Sequence, residues 1–286
     1  MTIVDPIVAP AVDRARATLA QALRGLVGSG EVDLARPPGD DGLFGATSPA
    51  WRVHGDFSAM MIGGISALLL QMLHPGALAG VWDFSDFRRD RLGRLRRTAQ
   101  FIAVTTYGAT DTAEATIAHV RAIHDRVHGT LPDGTRYDAN DPALLAWVHV
   151  AETDSFLRGY LRYRDPHLSA AAQDAYVADT AIVAERLGAR DLPRSRADIA
   201  AYYRQVRPAL RCDHRTREVA DALLAPGDDR AQAAALAVAG AAAVDLLPDW
   251  AAALHGRTPT ALTRPAIRAG ADGMSRVLRW ALSRPV

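Results

Sequence analysis

The amino-acid sequence predicts an all-α protein built as a single helical domain. Three observations favour this fold class. Alternating, β-branched strand patterns are scarce, apolar residues recur at helical three- and four-residue spacings, and helix start and stop signals recur along the chain. With 286 residues and 49% hydrophobic content, the chain can bury a sizeable core. We therefore expect one helical domain at 51–286, preceded at 1–50 by an N-terminal helix and an irregular arm rich in Gly, Pro and Asp.

Two strongly apolar segments, Ser58–Leu73 and Ala231–Leu247, predict buried helices. Both are shorter than the roughly 20 apolar residues that a membrane-spanning helix needs, so we expect no transmembrane segment, and peripheral membrane contact stays open. The pair His74–Pro75 predicts a helix boundary or kink, because a residue before proline disfavours helical geometry. A histidine at such a break either interacts with the helix dipole or turns its ring into a cavity. The next helix is expected to run from Arg94 to Tyr107.

The following helix is predicted to begin at Asp111, where Glu114 completes a capping box, and to end at Gly129. His124 lies at the centre of its apolar stripe, which consists of Ala113, Ile117, Val120 and Val127. A buried neutral imidazole has a donor and an acceptor to satisfy, so it needs partners. Two interpretations remain open: a hydrogen bond to a neighbouring helix, or ligation of a haem iron or another metal.

Turn and cap residues also define the remaining part of the chain. Asp133–Gly134 predicts a tight turn between two short extended pieces, and Asp141–Pro142 predicts a helix start with proline in the first turn. Gly188 is typical of a helix C-terminus. Further helices are expected at 141–164, 169–187, 195–206, 215–224, 230–247 and 265–282.

Composition and charge argue against several classes of function. The 33 basic residues nearly balance the 32 acidic ones, so the net charge of +1 argues against a large nucleic-acid-binding surface. The single cysteine, Cys212, forms no internal disulfide, and the N-terminal segment lacks a signal-peptide pattern, so we expect a cytoplasmic protein. Gly-rich phosphate loops and a Gly-x-Ser-x-Gly elbow are missing, which leaves nucleotide-dependent chemistry and serine hydrolysis without sequence support.

Charged residues on apolar helix faces are the next candidates. Arg94 shares one helix face with Thr98, and a buried guanidinium requires an anion. That anion is either a protein carboxylate such as Glu152 or a bound carboxylate or phosphate. Glu152 falls on the buried face of its own helix, where it either pairs with Arg94 or acts as a base. His124 and His128, four residues apart, also admit a metal site together with Glu152, although His128 by default belongs to the surface.

An ordered set of short motifs resembles the MpaB-type oxygenases, a family that includes the rubber oxygenases called latex clearing proteins. The similarity covers roughly Trp51 to Leu210. The motifs are His74–Pro75, Arg94–Thr98, Thr106–Gly108, Ile123–Gly129, Asp133–Tyr137 and Trp147–His149. The resemblance implies an all-helical fold with a globin-like core that holds haem b on a proximal histidine. It also implies cleavage of carbon–carbon double bonds of isoprenoid chains with dioxygen.

Matched residue by residue, the resemblance makes His124 the proximal haem ligand, with His128 as the fallback if gaps shift the alignment. Arg94 and Thr98 match the arginine and threonine that lie near the haem in rubber oxygenases. Arg97 stands where those enzymes have a distal lysine, and a protonated guanidinium is a very poor iron ligand. The expected cofactor site therefore consists of His124, Arg94, Arg97 and Thr98.

The leading hypothesis is a haem b-dependent oxygenase that acts with dioxygen on an apolar, isoprenoid or lipid-like substrate. In it Arg94 pairs with a haem propionate, while Thr98 and His74 shape the oxygen pocket. The glutamate that rubber oxygenases use as a base, upstream of the arginine, has no counterpart between Pro75 and Val81. Two alternatives stay open: a helical protein that binds haem or an apolar ligand without turnover, and a protein with a non-haem metal site. The oligomeric state is left open.

Overall fold

The computed structural model describes residues 34–226 and 230–283, and most of these residues are helical. The predicted N-terminal helix lies outside the described residues, and residues 34–48 form turns and irregular segments. The elements are α1 Pro49–His54, α2 Phe57–Gln71, α3 Pro75–Phe84, α4 Arg91–Tyr107, α5 Thr110–His124, β1 His128–Thr130, β2 Arg136–Asp138, α6 Pro142–Tyr163, α7 Ala170–Leu187, α8 Arg196–Val206, α9 His214–Leu224, α10 Arg230–Leu246, α11 Asp249–Leu254 and α12 Arg264–Leu282. The all-α prediction is confirmed.

Helices α2 and α6 pack along each other in the centre of the fold, and α10 covers α2 from another side. Two glycines allow this close approach. A Cβ atom on Gly63 would lie 2.9 Å from the carbonyl oxygen of Ser155, and one on Gly159 would lie 2.7 Å from that of Ala59. Larger side chains at either position would push the two backbones apart. Trp147 of α6 is fully buried in the same core, where it anchors the helix.

Several of the predicted helix starts are confirmed by side-chain caps. Asp141 caps α6 and Ser169 caps α7, each by accepting a hydrogen bond from a backbone amide of the first turn. Gly188 ends α7 with a left-handed φ of 114°. The Asp133–Gly134 turn is also confirmed: Gly134 has a φ of 87° and connects the antiparallel strands β1 and β2.

The predicted start and end of α5 are wrong. The helix begins after Ala109, which has no capping side chain, and the backbone amide of Thr110 donates instead to the carboxylate of Asp40 at 2.8 Å. Asp111 and Glu114 therefore form no capping box. It ends at His124 rather than Gly129, because the following residues enter the β1–β2 hairpin. Gly129 pairs with Tyr137, whose ring would lie 2.9 Å from a Cβ atom at position 129. The glycine therefore serves strand pairing and not helix termination.

The predicted break at His74–Pro75 is confirmed. Helix α2 ends at Gln71, α3 begins at Pro75, and the two helices are bent by 105° relative to each other. None of the described helices is on its own long and apolar enough to cross a membrane. Helices α4 and α5 form a helical hairpin through Gly108 and Ala109, so Arg94 and His124 both lie far from that connection, near the open ends of their helices.

Candidate functional site

An apolar cavity of about 640 Å³ lies between α2 and α4, with α6 contributing part of its wall. Its volume falls in the range of small-molecule binding sites. One helical stripe of α2 faces one stripe of α4 across the cavity. The α2 stripe includes Phe57, Met60, Met61, Gly64, Ile65, Leu68 and Gln71, and the α4 stripe includes Leu95, Thr98, Ala99, Ile102, Ala103 and Tyr107. These spacings are helical on both sides, so each helix presents one continuous face to the cavity.

The carboxyl group of Glu152 is the ionisable acid in the cavity wall. Glu152 lies on α6, and its Oε1 accepts a hydrogen bond of 3.1 Å from Nε2 of Gln71. Burial raises its pKa from 4.5 to about 7, while Gln71 and the charge of Arg94 partly oppose that shift. Among the described residues no cationic group lies within ion-pair distance of this carboxylate. The group is therefore able to gain or lose a proton near neutral pH.

His54 of α1 lines the opposite end of the cavity and was not singled out in the sequence. Its Nδ1 is hydrogen-bonded to Oγ1 of Thr106 at 2.8 Å, and its Nε2 to the hydroxyl of Tyr176 at 2.9 Å. Burial lowers the pKa of the imidazole to about 3, so the ring is neutral. Both ring nitrogens are hydrogen-bonded, so His54 connects α1 to α4 and α7 and has no free nitrogen for a ligand.

Arg94 is half-buried in the first turn of α4. Its Nη1 donates a long hydrogen bond of 3.4 Å to Oγ of Ser85, and burial lowers the pKa of the guanidinium to about 10. The predicted pairing with Glu152 is not a contact, since no ion pair of Arg94 occurs within the described part of the chain. Thr98, one turn later, lines the cavity. Arg97 points outward with 64% of its side chain exposed, 3.6 Å from Asp90.

His124 is the last residue of α5 and is half-buried, so the predicted buried position is only partly realised. Its Nδ1 atom is buried and has no hydrogen-bond partner among the described residues, and burial lowers the pKa of the ring. His124 does not line the apolar cavity. His128 lies exposed in β1. No group of three or more His, Cys, Asp or Glu side chains in residues 34–226 and 230–283 is placed to hold a metal ion, so His124, His128 and Glu152 are not brought together.

His74 caps the N-terminus of α3. Its Nδ1 accepts a hydrogen bond of 3.1 Å from the backbone amide of Gly76, and its ring lies 6.1 Å from that of Trp147. The residue does not line the apolar cavity, and burial lowers its pKa. The sequence placed it correctly at a helix break, where its side chain serves the next helix instead of the preceding one.

Two of these groups have the chemistry that a haem requires. His124 offers a buried ring nitrogen that has no partner among the described residues, and such a nitrogen would be able to hold iron. Arg94 offers a half-buried cation that has no carboxylate in contact among the described residues, which suits a propionate. The donor chemistry of His124 and Arg94 thus suits a haem, while neither side chain lines the apolar cavity.

Comparison with known proteins identifies one family. Residues 51–280 match the family model described as ER-bound oxygenase mpaB/B'/Rubber oxygenase, catalytic domain. No curated protein and no solved structure matches the chain. The match spans the cavity, His54, Arg94, His124 and Glu152, so all the groups described above lie inside the matched region.

Proposed function

Because the chain belongs to the MpaB and rubber oxygenase family, we propose that it is a haem b-dependent oxygenase acting with dioxygen on an apolar, isoprenoid or lipid-like substrate. The observation that carries this proposal is the apolar cavity between α2 and α4. Its wall is mostly aliphatic, aromatic and methionine side chains, and its few polar groups include Gln71, Glu152 and Thr98. Such a surface favours a hydrocarbon chain over a polar metabolite.

In this proposal His124 holds the haem iron through the ring nitrogen that lacks a protein partner, and Arg94 pairs with a propionate. The haem, when bound, supplies the activation of dioxygen. Thr98 lies one turn after Arg94 on the same helix and lines the cavity wall. Arg97 is exposed and lies close to Asp90, so in this proposal it is not an iron ligand.

Glu152 is the proposed proton acceptor for the substrate. It lies in the cavity wall beside Gln71, and its pKa of about 7 keeps a useful fraction of the carboxylate form at neutral pH. Gln71 fixes one carboxylate oxygen by its hydrogen bond, which leaves the other oxygen for the ligand. His74 caps α3 through its Nδ1 atom. This contact favours a role in positioning α3 over direct contact with oxygen.

Absorbance spectroscopy tests the haem assignment. Protein expressed with adequate haem should show a Soret band, which His124→Ala should abolish and His128→Ala should leave in place. His128 is the matched control because it is a neighbouring, exposed histidine in β1. Absence of the band in the wild-type protein, both after expression and after reconstitution with haem, would overturn the proposal.

A second candidate function is supported by the same cavity. A helical carrier that binds an apolar ligand without turnover needs only the α2–α4 cavity and none of the reactive groups. Oxygen consumption separates the two candidates. Uptake of oxygen with an isoprenoid or an unsaturated fatty acid, reduced in Glu152→Gln, indicates the oxygenase, whereas tight ligand binding by haem-loaded protein without uptake indicates the carrier.

A further inference from the structure

The apolar cavity is elongated. Its lining residues on α2 run from Phe57 to Gln71, which corresponds to about 21 Å at the rise of an α-helix. On α4 they run from Leu95 to Tyr107, or about 18 Å. We call this elongated cavity the tunnel. The hydrogen bond between Gln71 and Glu152 lies at one end of it, which is the polar inner end. A single extended chain, and not a compact ring system, suits this shape.

The other end of the tunnel adjoins a surface cleft of about 580 Å³. Trp51 and Gly55 belong to the walls of both spaces, and the hydroxyl of Tyr107 donates a hydrogen bond of 3.3 Å to the carbonyl oxygen of Trp51 at this junction. Gly55 has no side chain to narrow the passage. A ligand that fills the tunnel therefore has its outer end beside Trp51 and facing the cleft.

The cleft carries an excess of positive charge. Three of its lining side chains are arginines, Arg52, Arg164 and Arg279, against the two carboxylates of Asp56 and Asp165. Arg52 is tied to Asp165 at 2.7 Å, and Arg279 to Asp56 at 3.1 Å.

Of the three arginines in the cleft, Arg164 has the longest contact with a carboxylate. Its Nε lies 3.7 Å from Asp56, which Arg279 already contacts, and 54% of its side chain is exposed. Because Arg279 keeps the buried carboxylate of Asp56 paired at 3.1 Å, Arg164 can exchange its own longer contact for another anion without leaving Asp56 unpaired. A planar guanidinium is well suited to a carboxylate.

We propose that the tunnel and the cleft together bind one linear amphiphile, a long-chain carboxylic acid whose carboxylate meets Arg164 and whose apolar chain extends along α2 toward Gln71 and Glu152. Binding of the acid follows from the cavity alone, while its role as the substrate rests on the proposed oxygenase function. In that role, the end of the chain remote from the carboxylate reaches Thr98 and Glu152, and the chemistry takes place there.

The experiment compares oleate with methyl oleate, which has the same chain without the charge. Binding to the purified protein is measured by displacement of a fluorescent fatty-acid probe under anaerobic conditions. Oleate should bind at least tenfold more tightly than the ester. Arg164→Gln should weaken oleate about tenfold and leave the ester unchanged, and higher salt should reduce the preference. Arg276→Gln is the matched control, because Arg276 is an exposed arginine of α12 outside the cleft.

Two variants test the tunnel from opposite walls. Gly64→Leu on α2 and Ala103→Leu on α4 each place added volume in the cavity and should weaken both ligands. The proposal is overturned if acid and ester bind equally and Arg164→Gln has no effect. It is also overturned if both tunnel variants fold and bind the ligands as tightly as the wild type. Failure of the oxygenase assignment is distinct, since it shows as missing haem or missing oxygen uptake while oleate binding persists.

Discussion

The side-chain amide of Gln71 donates a hydrogen bond of 3.1 Å to the carboxylate of Glu152 and so joins α2 to α6 at the inner end of the cavity. Gln71 is buried, and the residual exposure of Glu152 is toward the cavity. An acid with no cation in contact, in a mostly apolar wall, favours its protonated form. The pair therefore couples the charge state of the cavity to pH near neutrality.

Glu152→Gln should stabilise the protein at alkaline pH. The pKa of Glu152 is raised from 4.5 to about 7, so the folded protein holds this proton more tightly than the unfolded chain. The stabilisation that protonation provides is complete below the unfolded pKa and is lost as the pH rises through 7, for a total of up to about 3 kcal/mol. Urea unfolding at pH 5 and pH 8 measures this effect. The free energy of unfolding of the variant, relative to that of the wild type, should be higher at pH 8 than at pH 5.

The variant keeps an oxygen that accepts from Gln71, so the comparison isolates the charge. The control is Glu218→Gln, which removes an exposed carboxylate paired with Arg88. Its free energy of unfolding should differ from that of the wild type by a similar small amount at both pH values. If the free energies of unfolding of Glu152→Gln and the wild type change equally between pH 5 and pH 8, the proposed ionisation of the buried Glu152 is contradicted.

Local signals in the sequence predicted much of the fold. Asp141, Ser169 and Gly188 act on backbone groups within a few residues of themselves, so their positions are sufficient to locate α6 and α7. The α5 end was mispredicted because Gly129 is bound by strand pairing with Tyr137, a contact that helical periodicity does not contain.

The candidate site was less predictable, because it depends on contacts between distant segments. His54 gains its role from Thr106 and Tyr176, which lie 52 and 122 residues away in the chain. The sequence indicated that Arg94 lies on an apolar face, but only the fold shows that Glu152 is not in contact with it. The facing stripes of α2 and α4 were each detectable as helical patterns, whereas the cavity between them was not.

The adjacent glycines of α2 should respond oppositely to the same substitution. Gly63→Ala places a Cβ atom 2.9 Å from the carbonyl oxygen of Ser155 and 3.0 Å from the Cα atom of Phe156, and backbone atoms yield little. We expect a loss of about 1–3 kcal/mol in the free energy of unfolding. Gly64→Ala meets only the Phe156 ring at 3.7 Å and should gain about 0.5–1 kcal/mol from helix propensity. Thermal unfolding of the two variants measures the difference, and a stabilised Gly63→Ala would contradict the tight α2–α6 packing.

Tyr176→Phe should destabilise the protein through His54. The substitution removes the hydroxyl that is hydrogen-bonded to Nε2 and leaves a buried ring nitrogen without a partner. An unsatisfied buried polar group costs about 1–3 kcal/mol. Tyr202→Phe, a half-buried tyrosine of α8, serves as the control and should cost less. If denaturant unfolding shows the two variants to be equal, the hydrogen bonds of His54 do not contribute to stability.

The buried carboxylate of Asp245 should be highly sensitive to substitution. Its side chain is fully buried and contacts three arginines: Arg162 at 3.0 Å, Arg268 at 2.8 Å and Arg264 at 3.4 Å. These contacts join α10 to α6 and α12. Asp245→Asn preserves the shape but leaves the three guanidiniums facing one another without the compensating charge.

We expect Asp245→Asn to lower the free energy of unfolding by about 3 kcal/mol, the lower end of the cost of removing one partner from a buried ion pair, because the arginines are partly exposed. Asp272→Asn breaks an exposed pair with Arg276 on α12 and should cost less than about 1 kcal/mol. Urea unfolding of both variants at the same pH makes the comparison. Similar losses at the two positions would show that burial of Asp245 does not strengthen its ion pairs.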